Sequence, residues 1–369
     1  MNNIPFFDYP HVFKKHENDF MRIIADVASR GAFIMQKDLR EFESNLAKYT
    51  GAKYAVGVAN ATDGLQLACM AGGIEAGDEV IISSHTMVAT ASAIHFAGGV
   101  PIPVEAGEDL LIDPDAIEAA ITEKTRAIMP TQLNGRTCDM DKITKIADKH
   151  GLKLFEDAAQ ALGSKFKGQS AGTFGVASAI SFYPAKTLGC LGDGGAVLTN
   201  DPDVHKQLLL LRDHGRDETT GDVECWGFNT RLDNIQAAIL NHLLPQYEEI
   251  IGRRRHIAAL YNELLADVTE VILPPKPESG SAHFDIFQNY EIRAENRDQL
   301  KQYLKEQGIG TLIQWSGKAI HQFTKLGFKT ELPKTTKLFQ EILLLPLNLS
   351  ITDEEVVVVA EAIKSFYKS

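Results

Sequence analysis

The chain has 369 residues, 37 Lys and Arg against 49 Asp and Glu, a net charge of −12, and 44% hydrophobic residues. That length exceeds the size at which one core stops growing, so two domains are expected, and an acidic chain whose one basic block is Arg253-Arg-Arg255 is not expected to bind nucleic acid. Cys69, Cys138, Cys190 and Cys225 form no Cys-x-x-Cys pair, so neither a metal site nor a disulfide framework is expected and a reducing cytoplasm suits them; with no leader-like start and no run of about 18 apolar residues, the chain reads as soluble, without a membrane partner.

In chain order, His16 to Ala28 and Lys37 to Tyr49 have helical apolar spacing. Tyr54 to Val58 is a short strand, Asn60-Ala-Thr-Asp63 a capping turn, and Gly64 to Ala71 the helix it starts. Glu79 to Ile82 is a buried strand, and Ser83 to Thr90 leads from it into a helix. Val100 to Val104 and Thr125 to Pro130 are further strands, separated by a helix from Pro114 to Ile121. Strands alternating with helices imply a mostly parallel sheet. After an amphipathic helix from Met140 to Lys149, the strand Gly151-Leu-Lys-Leu-Phe-Glu-Asp157 ends in two carboxylates. Ala179 to Phe182 and Ala196 to Thr199 are strands joined by a connection containing Pro184, Lys186 and four glycines. Val204 to Arg212 is helical, with His214 and Gly215 at its end. Pro245 should kink or break the helical stretch Ile235 to Leu265, which places a domain boundary there: a large domain 1–245 and a small one 246–369. Leu273 to Gly280 reads as a surface loop, Phe287 to Ile292 as a strand, Arg297 to Gln307 as a helix, and Thr352 caps the last helix.

Two residues carry the chemistry. A lysine held partly out of water, as Lys186 would be on a strand-to-strand connection, loses its proton more readily and can attack an aldehyde to give a Schiff base. Ligands of a parallel α/β sheet bind outside the carboxyl ends of strands, where Asp157 falls, and a carboxylate there can keep a pyridine nitrogen protonated. Lys186 and Asp157 are thus two poles of one expected cofactor site.

Glu156-Asp-Ala-Ala-Gln160, Ser181-Phe-Tyr-Pro-Ala-Lys186 with Gly192-Asp-Gly-Gly195, Asn60-Ala-Thr-Asp63 and Asn229-Thr-Arg231 follow one another as in a known family. The chain resembles the DegT/DnrJ/StrS sugar aminotransferases, and the resemblance covers nearly all of it. It implies the aspartate-aminotransferase fold (fold type I), an α/β architecture with a mostly parallel mixed sheet in the large domain and a smaller α+β C-terminal domain. It implies pyridoxal 5′-phosphate as cofactor, Lys186 and Asp157 as catalytic residues, and an N-terminal arm. Cofactor phosphate would rest on the amides of Ala61 and Thr62, where a helix N-terminus favours an anion, with Ser181 assisting. Asn229 would reach the phosphate of a neighbouring subunit, making a homodimer with shared active sites. Gln160 would hydrogen-bond the ring hydroxyl, and Met87 stands where relatives carry a ring-stacking residue, a contact that methionine sulfur can make.

The chain departs from the family at several points. Gln132-Leu-Asn-Gly135 stands for His-Leu-Tyr-Gly and Asn348 for a histidine, while Arg293 offers one cation for an anionic substrate. The resemblance implies transfer of an amino group from glutamate to a nucleotide-linked keto sugar, dTDP or UDP, for amino-sugar and surface-polysaccharide synthesis such as lipopolysaccharide O-antigen. Asp193, where others carry glutamate, favours a 3-keto over a 4-keto sugar. Lys186 speaks against the dehydratases of the family, which carry histidine there. A dehydrogenase reading fails because the glycines at 189–195 lie between two strands and open no helix. A regulator without turnover lacks a basic helix-turn-helix segment.

Overall fold

The computed structural model describes residues 3–277 and 282–368; Glu278, Ser279 and Gly280 of the expected surface loop lie outside them. The first half of the chain runs α1 (Tyr9–Ser29), α2 (Lys37–Thr50), β1 (Tyr54–Val58), α3 (Ala61–Ala71), β2 (Glu79–Ser83), α4 (Val88–Phe96), β3 (Val100–Val104), α5 (Pro114–Ala119), β4 (Thr125–Met129), α6 (Met140–His150) and β5 (Lys153–Asp157). Two-residue strands β6 (Lys165–Phe166) and β7 (Gln169–Ser170) precede β8 (Ala177–Ser181), β9 (Gly195–Thr199) and α7 (Pro202–Arg212). The expected break at Pro245 is present: α8 (Asn234–Leu243) ends in a 3₁₀ turn over Leu244–Gln246 before α9 (Tyr247–Leu264) begins. Then follow β10 (Val271–Ile272), β11 (His283–Phe284), β12 (Tyr290–Ala294), α10 (Arg297–Glu306), α11 (Pro333–Glu341), β13 (Ile342–Leu345) and α12 (Asp353–Lys368).

Seven strands form one sheet in the order β1-β9-β8-β5-β4-β2-β3. Strand β9 runs antiparallel to both neighbours, and the other pairings are parallel. This is the mixed, mostly parallel sheet expected. Helices cover both faces, so the inner strands are largely buried on both: along β9, Ala196 and Leu198 join one cluster with Phe42 and Leu240, while Val197 joins the opposite one with Leu65 and Leu208.

A separate core surrounds the three-stranded sheet β10-β12-β13, where Tyr290, Ile292, Leu343 and Leu345 pack on Tyr261 of α9 and Val356, Val359 and Ile363 of α12. Helix α9 serves both bodies. Its Tyr247 and Ile251 pack with the large-sheet cluster, and its Ile257, Ala258 and Tyr261 with the C-terminal one. The start of the chain also joins the C-terminal core: Ile4 is buried there, its amide donates to Gly308 O at 3.0 Å, and its carbonyl accepts from Gly310 N at 2.8 Å.

Candidate active site

Strand β5 delivers Asp157 to its carboxyl end, 4% exposed. Thr90, in the first turn of α4, donates to its Oδ2 at 2.6 Å, and the Ala159 amide donates to Oδ1 at 3.2 Å. Thr86 bonds to Thr90 and to Thr131 at 2.8 Å each, so three hydroxyls brace the carboxylate from one side. Burial pushes the Asp157 pKa up, while Thr90, the Ala159 amide and the charge of Lys186 draw it down. A buried carboxylate with so few partners favours a cation beside it.

Lys186 follows β8 on a connection held from several directions. Its amide donates to Tyr183 O at 2.8 Å; Thr187 N donates to Gln288 Oε1, and Gln288 Nε2 to Ala185 O, each at 2.9 Å. Thr187 also bonds the buried Tyr247 hydroxyl at 2.5 Å. Desolvation pushes the Lys186 amine down to about 8, and Asp157 opposes the fall. Asp157 pairs in register with Ala179 of β8, the strand that runs into the Lys186 connection, and the charges of the two groups act on one another. The half-buried lysine lines a cleft with Tyr9, Arg254, Asn289 and Asn348.

A cradle for an anion lies at the carboxyl end of β1. Asn60 caps α3 by accepting from Asp63 N at 2.9 Å, and among the described residues the Ala61 and Thr62 amides have no partner. Across the sheet, Ser181 pairs in register with Gly195, which pairs in turn with Val58. A Cβ at Gly195 would lie 2.6 Å from Asn60 C and 2.7 Å from Ala61 N. Only glycine allows that approach, which sets the end of the Ser181 strand close to the helix N-terminus. The first four amides of a helix lack internal acceptors and carry the positive end of its dipole, so this is an anion seat.

Thr230 is tied to the same helix start, donating to Asp63 Oδ2 at 2.6 Å and accepting from Ala59 N at 3.3 Å, and the adjacent Asn229 is exposed. Met87 is the N-cap of α4 and, at 50% exposed, no part of the core. Gln160 accepts from Asn134 N at 2.8 Å through its Oε1. The strand ends and helix starts therefore gather Ala61, Thr62, Asp157, Ser181 and Lys186 at one edge of the sheet, with Met87 and Gln160 on the segments that flank Asp157, and leave Asn229 at the surface.

Compared with known proteins, residues 14–364 match the model of the DegT/DnrJ/EryC1/StrS aminotransferase family. The chain belongs to that family. A pleiotropic regulatory protein of Geobacillus stearothermophilus is 38% identical over 99% of both chains. The dTDP-3-amino-3,4,6-trideoxy-alpha-D-glucose transaminase of Streptomyces venezuelae is 36% identical over 98% of this chain and 96% of its own. The crystal structure of S. venezuelae DesV in complex with a ketimine intermediate superposes with a TM-score of 0.95 at 35% identity, covering 100% of both chains. The DegT/DnrJ/EryC1/StrS proteins are pyridoxal-phosphate-dependent sugar transaminases, and the residues present here fit that cofactor: a buried acid short of a cation, a desolvated lysine beside it, and partnerless amides behind a glycine cradle.

Several residues differ from their expected parts. Arg293 is no free cation, since Glu341 accepts from it at 2.9 Å and Glu108 pairs with it as well. Asn348 is a clasp: its Nδ2 donates to Pro5 O at 2.7 Å, and its Oδ1 accepts from Ser350 and Ile351 amides. His214 forms a tight turn at φ 60°, its side chain exposed. Gln132 is fully buried, and its amide donates to Glu156 at 2.7 Å. Thr90, Asn134, Glu291 and Gln314 were missed by the sequence reading. One signal was available for Glu291, a charge between Tyr290 and Ile292 in an apolar strand.

Proposed function

We propose that this chain moves an amino group from glutamate to a nucleotide-linked 3-keto sugar, dTDP- or UDP-bound, in amino-sugar synthesis of the kind that supplies surface polysaccharides. One observation carries the reading: a desolvated Lys186 amine within electrostatic reach of buried Asp157, in a chain of this family. The choice of C3 draws support from the Streptomyces venezuelae relative, described as acting on a 3-amino sugar.

Pyridoxal phosphate, when bound, supplies an aldehyde that captures amines and a ring that withdraws electrons from the adjacent carbon. Asp157 keeps the ring nitrogen protonated, its negative charge favoured once a cation faces it. The Lys186 amine, poised near neutrality, would hold the cofactor and, once free, would take a proton from the donor's alpha carbon and return it, as base and then as acid. Ala61, Thr62 and Ser181 would hold the phosphate, Gln160 would donate to the ring oxygen, and Met87 would lie against the ring. Asn229 reaches the phosphate of a second copy, which makes each site shared within a homodimer. Its exposure supports this, as does the neighbouring Trp226, 97% exposed on a segment with Val223 and Phe228.

A regulator without turnover is the second reading, favoured by the description of the Geobacillus relative. One experiment separates the two. Purified protein is offered glutamate with a panel of 3-keto and 4-keto nucleotide sugars, and the new amine is located. Formation of 2-oxoglutarate with an amine at C3 is the expected result; an amine at C4 redirects the substrate assignment, and no 2-oxoglutarate with any sugar overturns the transaminase reading.

A further inference from the structure

Behind Gln160 lies a buried polar network whose other members the mechanism above does not use. Its anchor is Glu291 of β12, 3% exposed. Asn134 Nδ2 donates to Glu291 Oε2 at 2.5 Å, and Gln314 Nε2 to Oε1 at 3.0 Å. Asn134 Oδ1 in turn accepts from Asn289 Nδ2 at 2.9 Å and from Gln314 Nε2 at 3.0 Å. The chain of bonds ends at Gln160, whose Oε1 accepts from Asn134 N at 2.8 Å and from Asn289 Nδ2 at 3.5 Å. His85 lies against Glu291 too; its Nδ1 meets Leu110 O at 3.0 Å, and its Nε2 lies 3.7 Å from Glu291 with no hydrogen-bond partner among the described residues.

A carboxylate can only accept, so it dictates which end of each amide faces it. Glu291 requires the nitrogens of Asn134 and Gln314. With its nitrogen so fixed, Asn134 turns its oxygen to Asn289, which must answer with nitrogen. That nitrogen, together with the Asn134 backbone amide, occupies the oxygen of Gln160. The backbone is bent to suit: Asn134 has φ 56°, and the two residues after Gln314 have φ 48° and 59°, left-handed values that cost energy outside glycine and concentrate at functional sites.

We propose that Glu291 is a positioning residue for the cofactor: through Asn134 and Asn289 it fixes the Gln160 amide so that only its nitrogen is left to face the ring oxygen. This rests on the reading of Gln160 given above. The Asn134 side chain anchors the turn whose backbone amide holds the Gln160 oxygen; with that turn released, the Gln160 amide could turn its oxygen to the ring, where two acceptors would repel.

The test titrates the visible band of the cofactor-loaded enzyme against pH. A donor at the ring oxygen draws charge from it and loosens the proton held beside it, so losing the donor raises the midpoint, by about one pH unit for one charge-assisted hydrogen bond. Glu291→Gln keeps the size but offers a nitrogen where only acceptors fit; it is expected to raise the midpoint and lower kcat with little change in the KM for sugar. Gln160→Ala should raise it too, and the double variant no further than Gln160→Ala alone. An unchanged midpoint in Glu291→Gln, or full additivity in the double variant, overturns the proposal. If Gln160→Ala itself leaves the midpoint unmoved, the cofactor role of Gln160 fails first. Should Glu291→Gln not fold, Asn289→Ala takes its place: a smaller rise is expected, and no rise overturns the proposal.

Discussion

Glu156 and Asp157 are neighbours on one strand, both buried, and they point into unlike surroundings. Glu156 accepts from Gln132 Nε2 and from the amides of Gly172 and Phe174, at 2.7 to 2.8 Å. Asp157 has Thr90 and one amide, and within electrostatic reach a lysine whose own charge is suppressed. Burial pushes both acids up. The difference is saturation: the first carboxylate is a finished clasp that pins the 172–175 turn to β5, and the second leaves capacity for a cation brought from outside. Burial alone would have ranked them equally.

The largest expected effect lies on the open side. Lys186→Ala should remove the visible cofactor band and cut transamination by at least about 10³-fold, since proton transfer goes with the attachment, while far-UV circular dichroism stays native; near-full turnover would break the comparison at its root. Asp157→Asn should retain the cofactor and lose about 10²-fold in kcat, the size typical of one preorganised electrostatic partner. On the closed side, Glu156→Gln should do the reverse. Placing an amide nitrogen against donors of a buried clasp should cost about 3 kcal/mol in unfolding free energy, with kcat of the folded fraction nearly unchanged. If Glu156→Gln lost activity and kept its stability, the two carboxylates would have to exchange roles.

A pH experiment sharpens the same contrast. The Lys186 amine is lowered to about 8 in the fold, so cofactor-free protein should recapture pyridoxal phosphate at a rate rising roughly tenfold per unit below that value and levelling above it. The sign for stability is opposite to that of a paired lysine. The fold disfavours the ammonium, so cofactor-free protein loses stability as pH falls from the ordinary lysine value through about 8, and Lys186→Met should recover it below that point. A recapture rate still climbing toward pH 10 would mean an ordinary, solvated lysine. The smallest effect is at the surface: Asn229→Ala should weaken cofactor binding about tenfold, for one hydrogen bond to a phosphate, and an unchanged affinity would remove Asn229 from the shared site.

Much of the sheet was legible because its strands are buried on both faces and read as short apolar runs between turn signals; β1, β3 and β5 end where their patterns end. Asp157 was legible at the end of such a run and Lys186 on the connection after one, each inside a motif whose residue types suit one chemistry. What escaped the sequence reading depends on contacts between segments far apart in the chain. Arg293 looked like a free cation because its partners, Glu108 and Glu341, belong to distant segments. Asn348 looked like a lost histidine, yet it holds the backbone carbonyls of Pro5 and Phe6. The Glu291 network joins positions 134, 160, 289, 291 and 314, and no local pattern brings these four separate segments together.

The most direct measurement is reduction of the cofactor-loaded protein with borohydride, followed by peptide mapping. The account predicts a stable pyridoxyl label on Lys186 in the wild type and none in Lys186→Ala. A label on another lysine, or one that persists in the variant, would contradict it.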